Sequence, residues 1–268
     1  MKQAGLLLLN SITLAAALVM NYLSGLGKLN GNTVSDISKR YETLFTPAGY
    51  AFAIWGIIYI FLIAFVIHQW YAWYRKKDDQ DLRRTGVWFA IGNIANGLWI
   101  WAWTGDSIGW SVLLIILLLL SLAILVVRLR LEIPDAPLRI IAFVWWPVCI
   151  YLGWIVVASA ANIAVYLKST NQTFFLTEET RAIALIILAA LIYILLIYFR
   201  NMREAALVGI WAFIAIAVRQ WEHHIHISFA AILASVILFI YVGYHGYKNR
   251  ETSPFRKIQS SRNPMPGT

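Results

Sequence analysis

The chain has 268 residues, of which 60% are hydrophobic and 13% charged. A soluble domain carries about 25% charged residues, so this surface cannot be covered with ions, and lipid is the solvent its composition demands. The net charge of +9 rests on basic residues that fall between apolar runs, where membrane orientation explains them better than a phosphate-gripping face. Nucleic acid is therefore not an expected partner, and the lone Cys149 excludes an intrachain disulfide or a cysteine metal cage.

Eight apolar segments follow in chain order, at about 4–27, 48–74, 86–104, 108–127, 138–167, 182–199, 205–219 and 225–247. A span needs roughly 20 apolar residues. The seventh segment falls short and is thinned by Gly209, so a seven-span count with that piece re-entrant or interfacial competes with eight. The first segment, with Lys2 and Ala15–Ala17, has features of a signal peptide. Its apolar run continues to Leu26, beyond the 7–15 residues typical of such a region, and predicts an uncleaved helix. Residues 251–268, rich in Ser, Pro and basic side chains, read as a disordered cytoplasmic tail.

Alternating the loops between two compartments divides the Lys and Arg residues sixteen to six. The six are Lys28, Lys39, Arg40, Lys168, Arg181 and Arg219. The split predicts eight spans with both termini cytoplasmic.

The second segment opens as LFTPAGYAFAIWGIIYIF, residues 44 to 61, with Trp55 and Tyr59 one helical turn apart. A proline is tolerated in a first helical turn because its missing N–H would be unpaired there. In the third segment Asn93 and Asn96 share a face with Trp99 and Trp103. In the fifth, Tyr151, Trp154, Ala158 and Asn162 repeat that spacing. A buried amide is costly without a partner, so Asn96 and Asn162 are expected to face the bundle interior. Trp70, Trp73, Trp88 and Trp110 lie near predicted helix ends and fit the interfacial aromatic belt. The inward pattern fits helix packing, with Asn as interhelical glue and Ala158, Ala160 and Ala161 as close-approach sites, more readily than it fits a ligand pocket.

These stretches together resemble the TspO/MBR family, the tryptophan-rich sensory proteins related to the mitochondrial translocator protein. Pro47, Phe52, Trp55 and Tyr59 follow that family's first-helix pattern, with Thr46 in place of its first proline and Tyr50 near its early Trp. Asn96 and Trp99 match its second helix, and Trp154, Ala158 and Asn162 its fourth, with the preceding proline displaced to Pro147. The match covers residues 44 to 200, and suggests a divergent branch. The resemblance implies an all-α integral membrane protein: a TspO-like five-helix bundle at 44–200, an extra N-terminal helix and loop at 1–43, and two further helices at 201–250. It also implies a pocket for porphyrins and hydrophobic ligands, lined by Trp55, Tyr59, Asn96, Trp99, Trp103, Tyr151, Trp154, Ala158 and Asn162. Leu196, Tyr198 and Arg200 loosely meet a sterol-contact pattern that occurs often by chance.

Arg219, Glu222, His223, His224 and His226 cluster near the seventh link; imidazoles suit zinc or iron, although polar residues in a wet turn explain the cluster as well. Asp106, in a Gly-Asp-Ser turn, is expected near the pocket mouth. Acids and bases are nearly absent from the spans, which argues against an ion-coupled pump. The expected function is membrane-embedded binding or sensing of a planar hydrophobic molecule, since broad aromatic walls suit a flat ring. A transporter of a small hydrophobic substrate and a membrane enzyme acting on a lipid or porphyrin are the alternatives. No motif requires a cofactor or metal; porphyrin or haem enters as a candidate ligand. The lipid bilayer and a hydrophobic small molecule are the expected partners, a homodimer is an admissible assembly, and a bacterial inner membrane is the expected location.

Overall fold

The computed structural model describes residues 3–75, 80–133, 136–172 and 176–250; the tail at 251–268 lies outside them. Eight long helices form the fold: α1 (Gln3–Gly25), α2 (Ile54–Tyr74), α3 (Trp88–Thr104), α4 (Ile108–Leu129), α5 (Trp146–Ser169), α6 (Glu178–Arg200), α7 (Arg203–Gln220) and α8 (Ile225–Lys248). Among the described residues there is no strand.

Two helix starts differ from the pattern in the sequence. Pro47 lies ahead of a 3-10 turn, Gly49–Ala53, that leads into α2, rather than inside the helix's first turn. Instead the segment is tied sideways: Ala48 donates its amide to the Ala215 carbonyl at 3.0 Å. Before α5 the backbone forms a π-helical stretch, Ile141–Trp145. Pro147 has no N–H for the preceding turn and its ring crowds the carbonyl four residues back, which accounts for the widened winding there.

Six of these helical stretches are long and apolar enough to cross a membrane. The exceptions are α3, with 17 residues, and α7, which carries Arg203, Glu204 and Arg219. Both bury much of their length in the bundle and still present an apolar outer face, with Leu98 and Trp101 of α3 and Leu207 and Val218 of α7 exposed. Twelve residues of α3 and ten of α7 are buried, whereas the longer α8 buries six. The seventh segment reads as short because the helix extends beyond its apolar run, taking in Arg203 and Glu204 at its start and Gln220 at its end.

α3 lies between α1 and α4, and α4 packs on α5, which also meets α2 and α7; α7 in turn touches α6 and α8. The α5–α7 approach depends on Gly153, where an added Cβ would stand 2.7 Å from the Ala205 carbonyl oxygen and 2.8 Å from its Cα. Tyr193 of α6 closes the junction, donating its hydroxyl to the Gly153 carbonyl at 2.6 Å. The protein is an all-α, multi-pass integral membrane protein.

Candidate functional site

The aromatic residues singled out from spacing meet at one end of the bundle. Trp55, Trp99, Trp103, Trp154, Ala158 and Asn162 line an inner cavity of about 50 Å³. It opens into a vestibule of about 410 Å³, where Tyr59, Asn21, Lys39 and Arg219 join the wall. The two spaces share Val34, Ser38, Thr46, Pro47, Phe52, Trp55 and Trp99, so they form one funnel. Alone, the inner cavity is far smaller than the roughly 300–1,000 Å³ of ordinary ligand sites; the funnel as a whole reaches that range.

Ring geometry is fixed within helices and between them. Trp55 stacks on Tyr59 at 5.6 Å and 28°, and Trp99 on Trp103 at 5.6 Å and 27°. Trp154 meets Trp55 edge-on at 6.2 Å and Phe52 at 5.9 Å. Such edge and offset contacts suit the ring quadrupoles. Tyr151 does not line the funnel. It lies behind Trp55, edge-on at 6.1 Å, and is 2% exposed.

Hydrogen bonds hold these rings in place. The Trp99 indole donates to Asn162 Oδ1 at 2.7 Å, and Asn162 Nδ2 donates to Ser111 Oγ at 2.9 Å. Trp103 donates to the Val34 carbonyl at 3.1 Å. Asn96, also buried, stands outside the funnel; its Oδ1 accepts from Asn21 Nδ2 at 3.0 Å, and Asn21 Oδ1 accepts from the Tyr59 hydroxyl. Two buried donors, Trp154 Nε1 and Asn96 Nδ2, find no partner among the described residues.

Asn21 and Ser111 were not anticipated from the sequence. Asn21 carries the same signal as Asn96, an amide inside an apolar run, but lies outside the motifs at 44–200. The short helix Val34–Arg40, which lies ahead of those motifs, contributes Val34 and Ser38 to the funnel. Thr33 caps it reciprocally with Asp36, and this pair holds the Asp36 carboxyl below its ordinary value, chiefly through the Thr33 backbone N–H. Arg40 then pairs with Asp106 at 2.7 Å. Asp106 is thus a turn residue, φ 59°, that tethers the mouth instead of lining it.

At the rim Arg219 pairs with Glu42 at 2.5 Å, and Lys168 with Glu178 at 3.3 Å. His223 and His226 are exposed. Among the described residues, the side chains that converge at metal-ligand range are instead Glu132, Cys149 and Glu204, at the other end of the bundle, with ligand atoms within 4.8 Å of one another.

A funnel of indoles enclosed by membrane helices defines a polytopic membrane protein with an interior cavity. The family model described as TSPO-like protein matches residues 7–244, and the chain belongs to that family. This match takes in α1, α7 and α8, which the motifs at 44–200 did not reach. No curated protein and no solved structure matches the chain.

Proposed function

We propose that the chain is a membrane-embedded binding or sensory protein whose funnel takes a planar hydrophobic ligand of the tetrapyrrole type. The observation that carries this reading is the convergence of Trp55, Trp99, Trp103 and Trp154 from three helices on one cavity. A flat aromatic ligand gains from stacking and edge contacts with such walls. The unpartnered Trp154 Nε1 adds a buried donor that a ligand acceptor would satisfy. The narrow inner cavity suits an edge of the ring system, with its bulk in the vestibule. Lys39 at that mouth, beside the Arg219–Glu42 pair, favours a ligand with an acidic substituent.

In this reading the funnel opens away from the cytoplasm, in a bacterial inner membrane, with both termini inside. The basic residues support it, since the more numerous group belongs to the end opposite the funnel. The test is titration of the purified full chain with protoporphyrin in detergent, followed by tryptophan quenching. Saturable quenching at one equivalent is expected; linear quenching without saturation would overturn the reading.

A further inference from the structure

A second cavity of about 410 Å³ lies at the end of the bundle opposite the funnel. It forms where α6 ends at Arg200 and α7 begins at Arg203, joined through Asn201 in a left-handed conformation at φ 57°. That tight link brings two guanidinium groups into one wall, and Lys248 of α8 joins them. Arg200 Nη1 and Arg203 Nε are buried and have no hydrogen-bonding partner among the described residues. A buried charged donor left unsatisfied costs more than a neutral one, and Arg200, Arg203 and Lys248 together give this wall a positive face that suits an anion.

The same cavity also holds the opposite charge. Glu204 lines it; its Oε1 accepts from the Trp146 indole at 3.0 Å, while its buried Oε2 has no partner among the described residues. Glu132 lines the wall nearby. A simple phosphate would meet these carboxylates, and a metal dication between Glu132, Cys149 and Glu204 would face Arg200, Arg203 and Lys248. A group carrying both charges a few bonds apart meets both needs. The rim supplies the other half of an amphiphile: Ile133, Tyr198 and Phe199 line the cavity and are 51%, 67% and 67% exposed.

We propose that this cavity binds the headgroup of a zwitterionic phospholipid with a primary amine, its phosphate on Arg200 and Arg203 and its ammonium on Glu204, with the acyl chains leaving over Tyr198 and Phe199. The site is separate from the funnel and does not depend on what the funnel binds.

Native mass spectrometry of the full chain with dioleoyl-phosphatidylethanolamine, -phosphatidylglycerol and -phosphatidylcholine tests it. One ethanolamine lipid is expected to bind about tenfold tighter than either alternative, the scale of one charge-assisted hydrogen bond. Glu204→Gln keeps an acceptor for Trp146 and is expected to abolish that preference. Arg200→Gln is expected to weaken all three lipids by about tenfold, with Arg200→Lys partly restoring them. Equal occupancy by the three lipids would overturn the proposal. So would O-phosphoethanolamine competing as well as the lipid, because the site would then take a soluble solute. Zinc binding that is lost in Cys149→Ser and displaces the lipid would overturn it in favour of a cation.

Discussion

The Trp99 indole and the Asn162 carboxamide form a 2.7 Å hydrogen bond across the α3–α5 interface. Asn162 then passes the chain on to Ser111 of α4, so one side chain registers three helices at the wall of the funnel. Replacing Asn162 with Leu leaves a buried indole donor and a buried hydroxyl without this partner. Interhelical hydrogen bonds in membranes average about 0.6 kcal/mol; an orphaned buried donor costs about 1–3 kcal/mol. The expected stability loss lies in the upper range, and protoporphyrin affinity is expected to fall with it. Gln172→Ala is the fitting control, since Gln172 is exposed, whereas Asn171 has φ 54° and would add backbone strain. Equal melting and binding for the two variants would remove Asn162 from the site.

The inward position of Asn162 was legible because a membrane amide without a partner is expensive. Its link to Ser111 was not, because a lone serine in an apolar helix commonly bonds its own turn, as Ser121 does with the Leu117 carbonyl. The helices were legible as apolar runs, apart from the 3-10 lead into α2 and the π turn before Pro147. The Val34–Arg40 helix was missed as an element although Thr33 and Asp36 have the spacing of a capping box. It is too short to show a hydrophobic period, and only its packing over the funnel reveals what it does.

That cap gives a pH prediction. The Asp36 carboxyl is lowered from its ordinary 3.8 by the Thr33 backbone N–H and then its hydroxyl. The cap's contribution is present above the unfolded value and is lost as pH falls through the lower folded one. A spin label on Ser35→Cys, in a Cys149→Ser background, is expected to gain mobility below about pH 3.8. Asp36→Asn is expected to remove most of that pH dependence. A label whose mobility changes identically with pH in both proteins would contradict the cap.

A second pair tests the join of α6 and α7. A Cβ added at Gly209 would stand 2.3 Å from Tyr193 Cε2. Gly209→Ala is expected to destabilise by about 1–3 kcal/mol, the usual cost of overpacking. Tyr193→Leu alone loses the hydroxyl bond to Gly153 and leaves space. Together the two changes are expected to cost less than their sum, because the smaller side chain admits the new methyl. Simple additivity in detergent melts would show that the ring already yields.

Orientation can be read with reporter fusions. The basic end holds Arg200, Arg203 and Lys248, and the funnel end holds Lys39 and Arg219. Alkaline phosphatase joined after residue 268 is expected to be inactive in cells, and active when inserted after Gln172. Green fluorescent protein is expected to give the opposite result. Activity of the phosphatase at both positions would rule out the arrangement with both termini inside.

Trp154 separates a pocket from mere packing. Its ring is 2% exposed and meets Trp55 and Phe52 edge-on, yet its indole nitrogen has no partner among the described residues. Trp154→Phe therefore removes no existing hydrogen bond and is expected to melt close to the parent protein. If a ligand accepts from that nitrogen, protoporphyrin affinity drops in Trp154→Phe while stability holds. Trp154→Ala removes the ring as well; stacking on an aromatic is worth about 1–3 kcal/mol per ring by alanine substitution, measured on nucleic-acid bases. Affinity is then expected to fall roughly 5- to 150-fold. Trp73→Ala is the control for general loosening, because Trp73 is 39% exposed and contacts Trp70 edge-on at the far end of α2. Matching small losses at positions 154 and 73 would mean that the indoles of the funnel are packing material, and the ligand assignment would fall while the fold stood.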